Sequence, residues 1–142
     1  MNQTSTVLLV DDNFMNRRLV AAMLHGEPYC LVERESGREG LAYALAQHGS
    51  LDLILLDIGM PDLGGIEICR AIREHEGEGR RLPIIAYTAH AMTEERRAFV
   101  DAGFDDIIIK PITRDQFLPL IDRHLTGAAP RRADPPCEKE QQ

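Results

Sequence analysis

The run of four apolar residues Leu53-Ile54-Leu55-Leu56 ends directly in an acid, Asp57. The next residues, Ile58-Gly59-Met60-Pro61, include the glycine and proline that commonly mark a turn. We interpret the run as a buried strand, with Asp57 at its carboxyl end. Open α/β sheets place their ligand sites at the carboxyl ends of strands. Asp57 is therefore our first candidate for a functional side chain.

Two further apolar runs end in charged residues. Val7-Leu8-Leu9-Val10 is followed by Asp11 and Asp12, and Ile107-Ile108-Ile109 is followed by Lys110. The carboxyl ends of parallel strands meet at one edge of a sheet, so these groups should lie together with Asp57. The sequence therefore predicts that three carboxylates and one ammonium converge at one edge.

Short apolar runs alternate with amphipathic stretches along most of the chain. We predict strands near 6–10, 29–33, 52–57, 83–88 and 105–110. We predict helices near 13–25, 36–48, 64–76, 91–102 and 113–126. Five strand–helix repeats indicate an α/β protein whose parallel sheet has helices on both faces. Continuous hydrophobicity predicts that the third and fifth strands are buried on both sides, and Pro119 should kink the last helix or shift its start.

Composition indicates one globular domain, which we expect over residues 1–126. The 142 residues are 44% hydrophobic and 27% charged, which is ordinary for such a domain. Residues 127–142 show no periodicity and several prolines, and we expect a disordered C-terminal tail there. The net charge of -7 argues against direct binding of nucleic acid. The sequence shows neither a membrane-spanning stretch nor a signal pattern, so we expect no membrane insertion and a cytoplasmic location.

The predicted acidic cluster needs a positive partner. Two carboxylates about 5 Å apart repel by roughly 3 kcal/mol at an effective dielectric constant of about 20. Oxygen ligands without histidine suit Mg²⁺ or Mn²⁺ rather than zinc. A metal and Lys110 facing one carboxylate are what phosphoryl transfer to that carboxylate would need. Thr88 adds a hydroxyl at the same edge, and Ala89 leaves its backbone N–H accessible to a phosphoryl oxygen.

In their order and spacing, these residues resemble the receiver domain of two-component response regulators. The matching pieces are Asp11-Asp12, Asp57 with Met60-Pro61 and Gly64-Gly65, Thr88-Ala89, and Lys110-Pro111. The resemblance covers about residues 5–126. It implies a flavodoxin-like three-layer α/β sandwich with five helices and a five-stranded parallel sheet in the order 2-1-3-4-5.

The resemblance also implies a role for each residue of the predicted site. Asp57 would accept a phosphoryl group from a sensor histidine kinase or a histidine phosphotransfer protein. The implied Mg²⁺ ligands are the side chains of Asp11, Asp12 and Asp57 and the backbone carbonyl of Gly59. Lys110 would pair with the phosphoryl group, and Thr88 would move to hydrogen-bond it. The bond between Lys110 and Pro111 is expected to be cis.

The sequence departs from the family pattern at three positions near the site. Ile107 stands at the switch position three residues before the lysine, where Tyr or Phe is usual, so no aromatic switch is available there. Gly59 lacks the side chain often found two residues after the phosphoacceptor, and His90 lies two residues after Thr88. Gly59 and His90, with Ala89, would border the phosphoryl group. We hypothesise that Gly59 leaves room for water and that His90 sets how readily this water attacks.

We predict a stand-alone, single-domain receiver that changes its affinity for a downstream protein partner when phosphorylated. It would be a monomer or weak dimer and would catalyse only its own phosphorylation and dephosphorylation. Phe14, Met15 and Pro111 are candidate docking residues for a kinase or phosphotransfer helix. One alternative is a relay intermediate that passes phosphate onward to a histidine phosphotransfer protein.

Two further alternatives belong to other functional classes. An aspartyl-phosphate phosphohydrolase would need a general acid where the chain has Gly59, which cannot transfer a proton. A flavin- or nucleotide-binding module would need a first loop that accepts phosphate. The adjacent acids Asp11 and Asp12 repel phosphate unless a metal intervenes.

Overall fold

The computed structural model of the protein describes residues 5–89 and 92–125. The strands are β1 (Ser5–Val10), β2 (Tyr29–Arg34), β3 (Leu53–Asp57), β4 (Ile84–Thr88) and β5 (Asp106–Ile109). The helices are α1 (Phe14–Leu24), α2 (Gly37–Ala46), α3 (Gly65–Glu76), α4 (Thr93–Ala102) and α5 (Arg114–Leu125). A short 3-10 helix, His48–Ser50, precedes β3. His90 and the predicted tail 127–142 lie outside the described residues.

The five strands form one parallel sheet in the order β2-β1-β3-β4-β5. This order confirms the predicted flavodoxin-like fold. The chain changes winding direction between β1 and β3, and such switch points open a crevice at the carboxyl ends of the strands. Val10 of β1 pairs with Leu56 of β3. The next residues, Asp11 and Asp57, are therefore neighbours at this crevice.

Strand side chains alternate between two hydrophobic cores, one on each face of the sheet. The first core, which includes Leu56 and Ala86, packs against α2, α3 and α4. The second core, which includes Leu55 and Tyr87, packs against α1 and α5. All five residues of β3 are buried, which confirms the expectation for the third strand.

The expectation for the fifth strand was wrong. β5 lies at the edge of the sheet and pairs with β4. Ile108 is buried and Ile107 is half-buried, whereas Ile109 is 37% exposed. An edge strand lacks a neighbour on one side, so the flanking helices cover it only in part.

Local signals explain several helix boundaries. The Asn13 side chain accepts a hydrogen bond of 2.9 Å from the backbone N–H of Asn16 and caps α1. Ser36 caps α2 by accepting from the backbone N–H of Glu39 at 3.2 Å. α4 ends at Ala102 and is capped by Gly103, whose φ of 110° lies in the left-handed region that favours glycine.

Pro119 does not shift the start of the last helix. α5 begins at Arg114 and continues through Pro119 to Leu125. Pro119 is exposed. A proline removes one backbone hydrogen bond, and the carbonyl freed on an exposed side of a helix is accessible to water. Among the described residues, no helix combines the length and apolar character that crossing a bilayer requires.

An ion-pair network lies at the end of the sheet that is opposite to Asp57. Arg73 pairs with Glu76 at 2.8 Å and with Asp105 at 2.7 Å. Glu76 also accepts from His48 at 2.7 Å and from the Leu82 N–H at 2.9 Å. Burial works to raise the pKa of Glu76, but these hydrogen bonds bring it below its ordinary value. Most charges here have partners, so we assign the network to stability.

Candidate functional site

The site is formed by the segments that follow β1, β3, β4 and β5 at the carboxyl edge of the sheet. Parallel pairing sets Asp57 directly opposite Tyr87 and Thr88 opposite Ile109. Lys110 follows Ile109 in the chain. The topology thus brings residues from four distant parts of the sequence to one edge, as the sequence analysis predicted.

Three carboxylates meet at this edge. Asp11, Asp12 and Asp57 each offer one oxygen, and these atoms lie within 4.8 Å of one another. Asp11 and Asp57 are buried, at 0% and 5% exposure, whereas Asp12 is exposed. The cluster is therefore accessible to solvent from the side of Asp12.

Asp11 is the most constrained of the three acids. Its Oδ1 accepts a 2.9 Å hydrogen bond from the Asn13 N–H, while its buried Oδ2 has no partner among the described residues. Burial raises the pKa of Asp11 to about 6, and the negative charge of Asp57 adds to this effect. The Asn13 N–H and the Lys110 ammonium act in the opposite direction.

Arg17 is a residue that the sequence analysis missed. The Arg17 side chain is only 11% exposed, and it pairs with Glu33 on β2 at 3.5 Å. Its guanidinium also donates to the backbone carbonyl of Asp11 at 2.7 Å. Arg17 thereby ties α1 to the turn that carries the first two acids.

Asp57 has a direct positive partner. Its Oδ1 accepts from the Lys110 ammonium and from the Gly59 N–H, both at 3.2 Å. The backbone N–H of Lys110 donates to the Thr88 carbonyl at 2.8 Å, which fixes the lysine backbone beside β4. The peptide bond between Lys110 and Pro111 is cis, as expected from the resemblance.

Tyr87 is the second residue that the sequence analysis missed. Its side chain is 1% exposed, and its ring centroid lies 4.5 Å from the Lys110 ammonium. Burial raises the pKa of the Tyr87 phenol, and the negative charges of Asp11 and Asp57 raise it further, so the phenol is neutral. Its apolar strand predicted only a core residue. Its place at the site follows from its pairing with Asp57, which can be identified only once the strand order is known.

The remaining predicted residues lie around this centre. Thr88 is half-buried at the end of β4, and Ala89 is exposed. Ile107 is half-buried, packs against the first core and lies on the same face of the sheet as Thr88. A Cβ atom built on Gly59 meets nothing within 4 Å, so this position borders open space. His90 lies outside the described residues.

The predicted docking residues are exposed next to the acids. Phe14 and Met15, at 61% and 70% exposure, open α1 just after Asp12. Leu19 on the same helix is 40% exposed. Pro111 is exposed after Lys110. An apolar surface on α1 thus borders the charged site.

The donor set fits a hard divalent cation. The three acids are oxygen ligands, which Mg²⁺ and Mn²⁺ prefer. The buried Oδ2 of Asp11 has a lone pair that no described residue engages, and the exposed Asp12 leaves an entry path. These observations show a cluster that is able to hold a metal.

The sequence matches the response regulator receiver domain over residues 7–122, and the chain belongs to this family. Sensor protein GacS of Pseudomonas syringae pv. syringae is 38% identical over 136 residues, which are 94% of this chain and 15% of that protein. The chain spans less than half the length of the first curated relatives it matches, for example 6% of one and 45% of another.

Two solved structures extend the comparison. The receiver domain of sensor histidine kinase PA1611 from Pseudomonas aeruginosa PAO1 is 34% identical, with a TM-score of 0.76 over 86% of this chain and 98% of that one. That domain has a magnesium ion coordinated in its active-site cleft. The receiver domain of Ssk1, co-crystallised with the histidine phosphotransfer protein Ypd1 of Saccharomyces cerevisiae, is 25% identical. Its TM-score is 0.77 over 89% of this chain and 92% of that one. The chain is thus a phosphoacceptor domain of two-component phosphorelay signalling.

Proposed function

We propose that Asp57 is the residue that accepts the phosphoryl group, from a phosphohistidine of a sensor histidine kinase or of a histidine phosphotransfer protein. The observation that carries this proposal is the 3.2 Å pair between Asp57 Oδ1 and the Lys110 ammonium. Asp11 is oriented instead by the Asn13 N–H, and Asp12 is exposed. Asp57 therefore combines a buried position with a cation suited to balance an incoming phosphoryl group.

Three residues around Asp57 have the chemistry to stabilise the transferred group. Lys110 neutralises negative charge on the phosphoryl oxygens, since its ammonium already lies beside the acceptor. The Thr88 hydroxyl and the Ala89 N–H, at the end of β4, would donate hydrogen bonds to the phosphoryl oxygens. Asp57 must attack in line, and its hydrogen bond from the Gly59 N–H restricts its orientation.

We further propose that the acidic cluster holds Mg²⁺ or Mn²⁺. The ligands would be the side chains of Asp11, Asp12 and Asp57 and the carbonyl of Gly59. When bound, such an ion neutralises the charge of the carboxylates and of the phosphoryl oxygens. The Asn13 N–H holds the Asp11 carboxylate in one orientation, which leaves its Oδ2 available as a ligand. The magnesium ion in the related domain of PA1611 supports this assignment.

The output of this domain would be a changed affinity for a downstream protein partner. Ile107 lies on the face of the sheet that carries Thr88, so an aliphatic side chain takes the place of an aromatic switch. Phe14 and Met15, with Pro111, form the surface for a histidine-bearing helix. The co-crystal structure of the histidine phosphotransfer protein Ypd1 with the receiver domain of Ssk1 supports a partner of this class. We place the domain at residues 1–126, in the cytoplasm, acting catalytically only on its own phosphorylation and dephosphorylation.

A relay intermediate is the second candidate. The similarity to sensor kinases, of which this chain matches only a small part, favours a domain that passes its phosphoryl group onward. A phosphohydrolase is less favoured because Gly59 supplies no general acid. Steady turnover of a phosphate ester such as p-nitrophenyl phosphate would revive it.

The deciding experiment uses acetyl phosphate as a small phosphodonor, with Mg²⁺, and intact mass spectrometry. We expect the wild-type protein to gain the mass of one phosphoryl group. Asp57→Asn keeps the size of the side chain but removes the nucleophile, and it should gain none. A matched control, Asp122→Asn on α5, should gain the group as the wild type does. Phosphorylation of Asp57→Asn at the wild-type level would refute the assignment.

A further inference from the structure

We propose that Tyr87 is a positioning residue that holds the Lys110 ammonium beside Asp57. The inference rests on the function proposed above, in which Lys110 balances the charge of the phosphoryl group. Tyr87 would be a third residue at the centre of the site, beside the ion pair of Lys110 and Asp57. Asp57 ends β3 and Lys110 directly follows β5, and Tyr87 lies on β4, the strand between them.

The register of the sheet creates this arrangement. Asp57 and Tyr87 are partners in the parallel pairing of β3 and β4, so both side chains leave the same face of the sheet. The ammonium of Lys110 lies 3.2 Å from Asp57 Oδ1 and 4.5 Å from the Tyr87 ring centroid. Lys110 thus contacts a carboxylate and an aromatic ring at once.

A ring at this position has an effect that an aliphatic side chain lacks. Lysine has a long flexible side chain, and the side chain of Lys110 is 22% exposed, so water competes for its ammonium. An aromatic face attracts a cation, and the attraction is stronger where water is excluded. The Tyr87 side chain is buried. Its ring therefore favours the conformation in which Lys110 points toward Asp57 over conformations that extend into solvent.

The ring, rather than the hydroxyl, carries this effect. The phenol is neutral in its buried surroundings, so it offers no negative charge to Lys110. Phenylalanine at position 87 should therefore retain the function. Leucine removes the aromatic face but keeps an apolar side chain.

A role in packing alone makes a different prediction. Tyr87 belongs to the second core, so any smaller side chain there should lower stability. Phe117 is an equally buried ring of the same core, contributed by α5. Phe117→Leu is therefore the matched control for Tyr87→Leu. Only the positioning role predicts that the two variants differ at Lys110.

The first measurement observes Lys110 directly by NMR of protein with labelled lysine. The sequence contains only Lys110 and Lys139, and Lys110→Arg assigns the two sets of signals. In the wild type, Cε of Lys110 should be restricted in its motion, which carbon relaxation measures. We expect Tyr87→Phe and Phe117→Leu to keep this restriction and Tyr87→Leu to lose it. An equally restricted Lys110 side chain in folded Tyr87→Leu would overturn the proposal.

The second measurement is the rate of phosphorylation by acetyl phosphate at saturating Mg²⁺. Tyr87→Phe and Phe117→Leu should stay within about twofold of the wild type, whereas Tyr87→Leu should be about three- to tenfold slower, the factor expected for one cation–ring contact. In a Lys110→Met background, Tyr87→Leu should cause no further loss. Equal rates for wild type and Tyr87→Leu would overturn the proposal.

Two outcomes need a further measurement: a Tyr87→Leu variant that does not fold, and a wild type that is not phosphorylated. If Tyr87→Leu does not fold, Tyr87→Met replaces it, because methionine fills more of the volume without an aromatic face. If the wild type is not phosphorylated at all, the proposed function fails, and the Lys110 signal still decides whether Tyr87 holds the lysine.

Discussion

The ammonium of Lys110 lies 3.2 Å from Oδ1 of Asp57, although 53 positions separate the two residues in the chain. The contact exists because β4 lies between β3 and β5 and aligns their carboxyl ends. One ammonium thus faces a cluster of three acids. The metal-free site carries excess negative charge, and several of its expected properties follow from this imbalance.

Loss of Lys110 should destabilise the metal-free protein. Lys110→Met leaves the buried Asp57 without its cation, and we expect the free energy of unfolding to fall by about 1–3 kcal/mol. Mg²⁺ should restore most of this loss, since a divalent ion supplies positive charge to the same carboxylates. Urea denaturation with EDTA and with Mg²⁺ measures both effects. Lys139→Met removes the other lysine, beyond the matched residues 7–122, and should change neither value.

Asp11→Asn should have the opposite effect on the metal-free protein. Folding raises the pKa of Asp11 from 3.8 to about 6, so the folded state binds a proton more tightly than the unfolded state. The stability of the wild type should therefore fall as the pH rises between these two values, by up to about 3 kcal/mol. Asp11→Asn should weaken this dependence and be more stable at pH 7 without metal. A less stable variant under these conditions would contradict the argument.

Binding of Mg²⁺ should weaken in acid. A proton on Asp11 competes with the cation, and the pKa of about 6 places the onset near that pH in the metal-free protein. Below it, the dissociation constant for Mg²⁺ should rise by about tenfold per pH unit. Calorimetric titrations at several pH values give the measurement. Equal affinities at pH 5 and pH 7.5 would exclude Asp11 as a ligand that must lose a proton.

Side chains at position 59 should be tolerated by the fold. A Cβ atom there has open space, so Gly59→Ala should change the free energy of unfolding by less than about 0.5 kcal/mol. The control is Gly40→Ala, because a Cβ atom at Gly40 would lie 2.5 Å from Val10 Cγ1 and should cost about 1–3 kcal/mol. Thermal denaturation compares the two variants. A destabilisation of Gly59→Ala as large as that of Gly40→Ala would contradict the open geometry.

The phosphoryl group should have a lifetime that depends on Gly59 and His90. A larger residue at 59 should slow hydrolysis by displacing water, whereas His90→Ala should change the half-life if His90 acts on the attacking water. Decay of the phosphorylated mass after removal of the donor measures both. His25→Ala, at the exposed end of α1, is the control for His90→Ala. Identical half-lives of wild type and His90→Ala would refute the role of His90.

Much of the site follows from short-range patterns. Apolar runs that end in Asp11, Asp57 and Lys110 mark strands whose ends carry charge. These runs predict strands because they are too short for a typical helix and are bounded by charged or turn-forming residues. The same reasoning failed for β5, whose isoleucines are as apolar as the residues of β3. Position in the sheet, rather than local hydrophobicity, decides whether a strand is covered on both faces.

Arg17 and Tyr87 show what local patterns do not predict. The sequence pattern places Arg17 on the exposed side of a helix, yet its guanidinium donates to the carbonyl of Asp11. The pattern places Tyr87 in an apolar strand as a core residue, yet its ring also contacts the Lys110 ammonium. Both contacts join residues of different elements, and their distances depend on how those elements pack.

Local patterns were enough to predict the alternation of strands and helices and the types of residue at each strand end. Hydrophobic periodicity and turn-forming residues are local properties of the sequence, so they can be identified before the fold is known. Tertiary packing was needed to show that β5 is an edge strand, that Asp57 Oδ1 is the oxygen Lys110 contacts, and that the centroid of the Tyr87 ring lies 4.5 Å from the lysine ammonium. These relationships depend on strand register, and register results from packing the whole sheet between its two layers of helices.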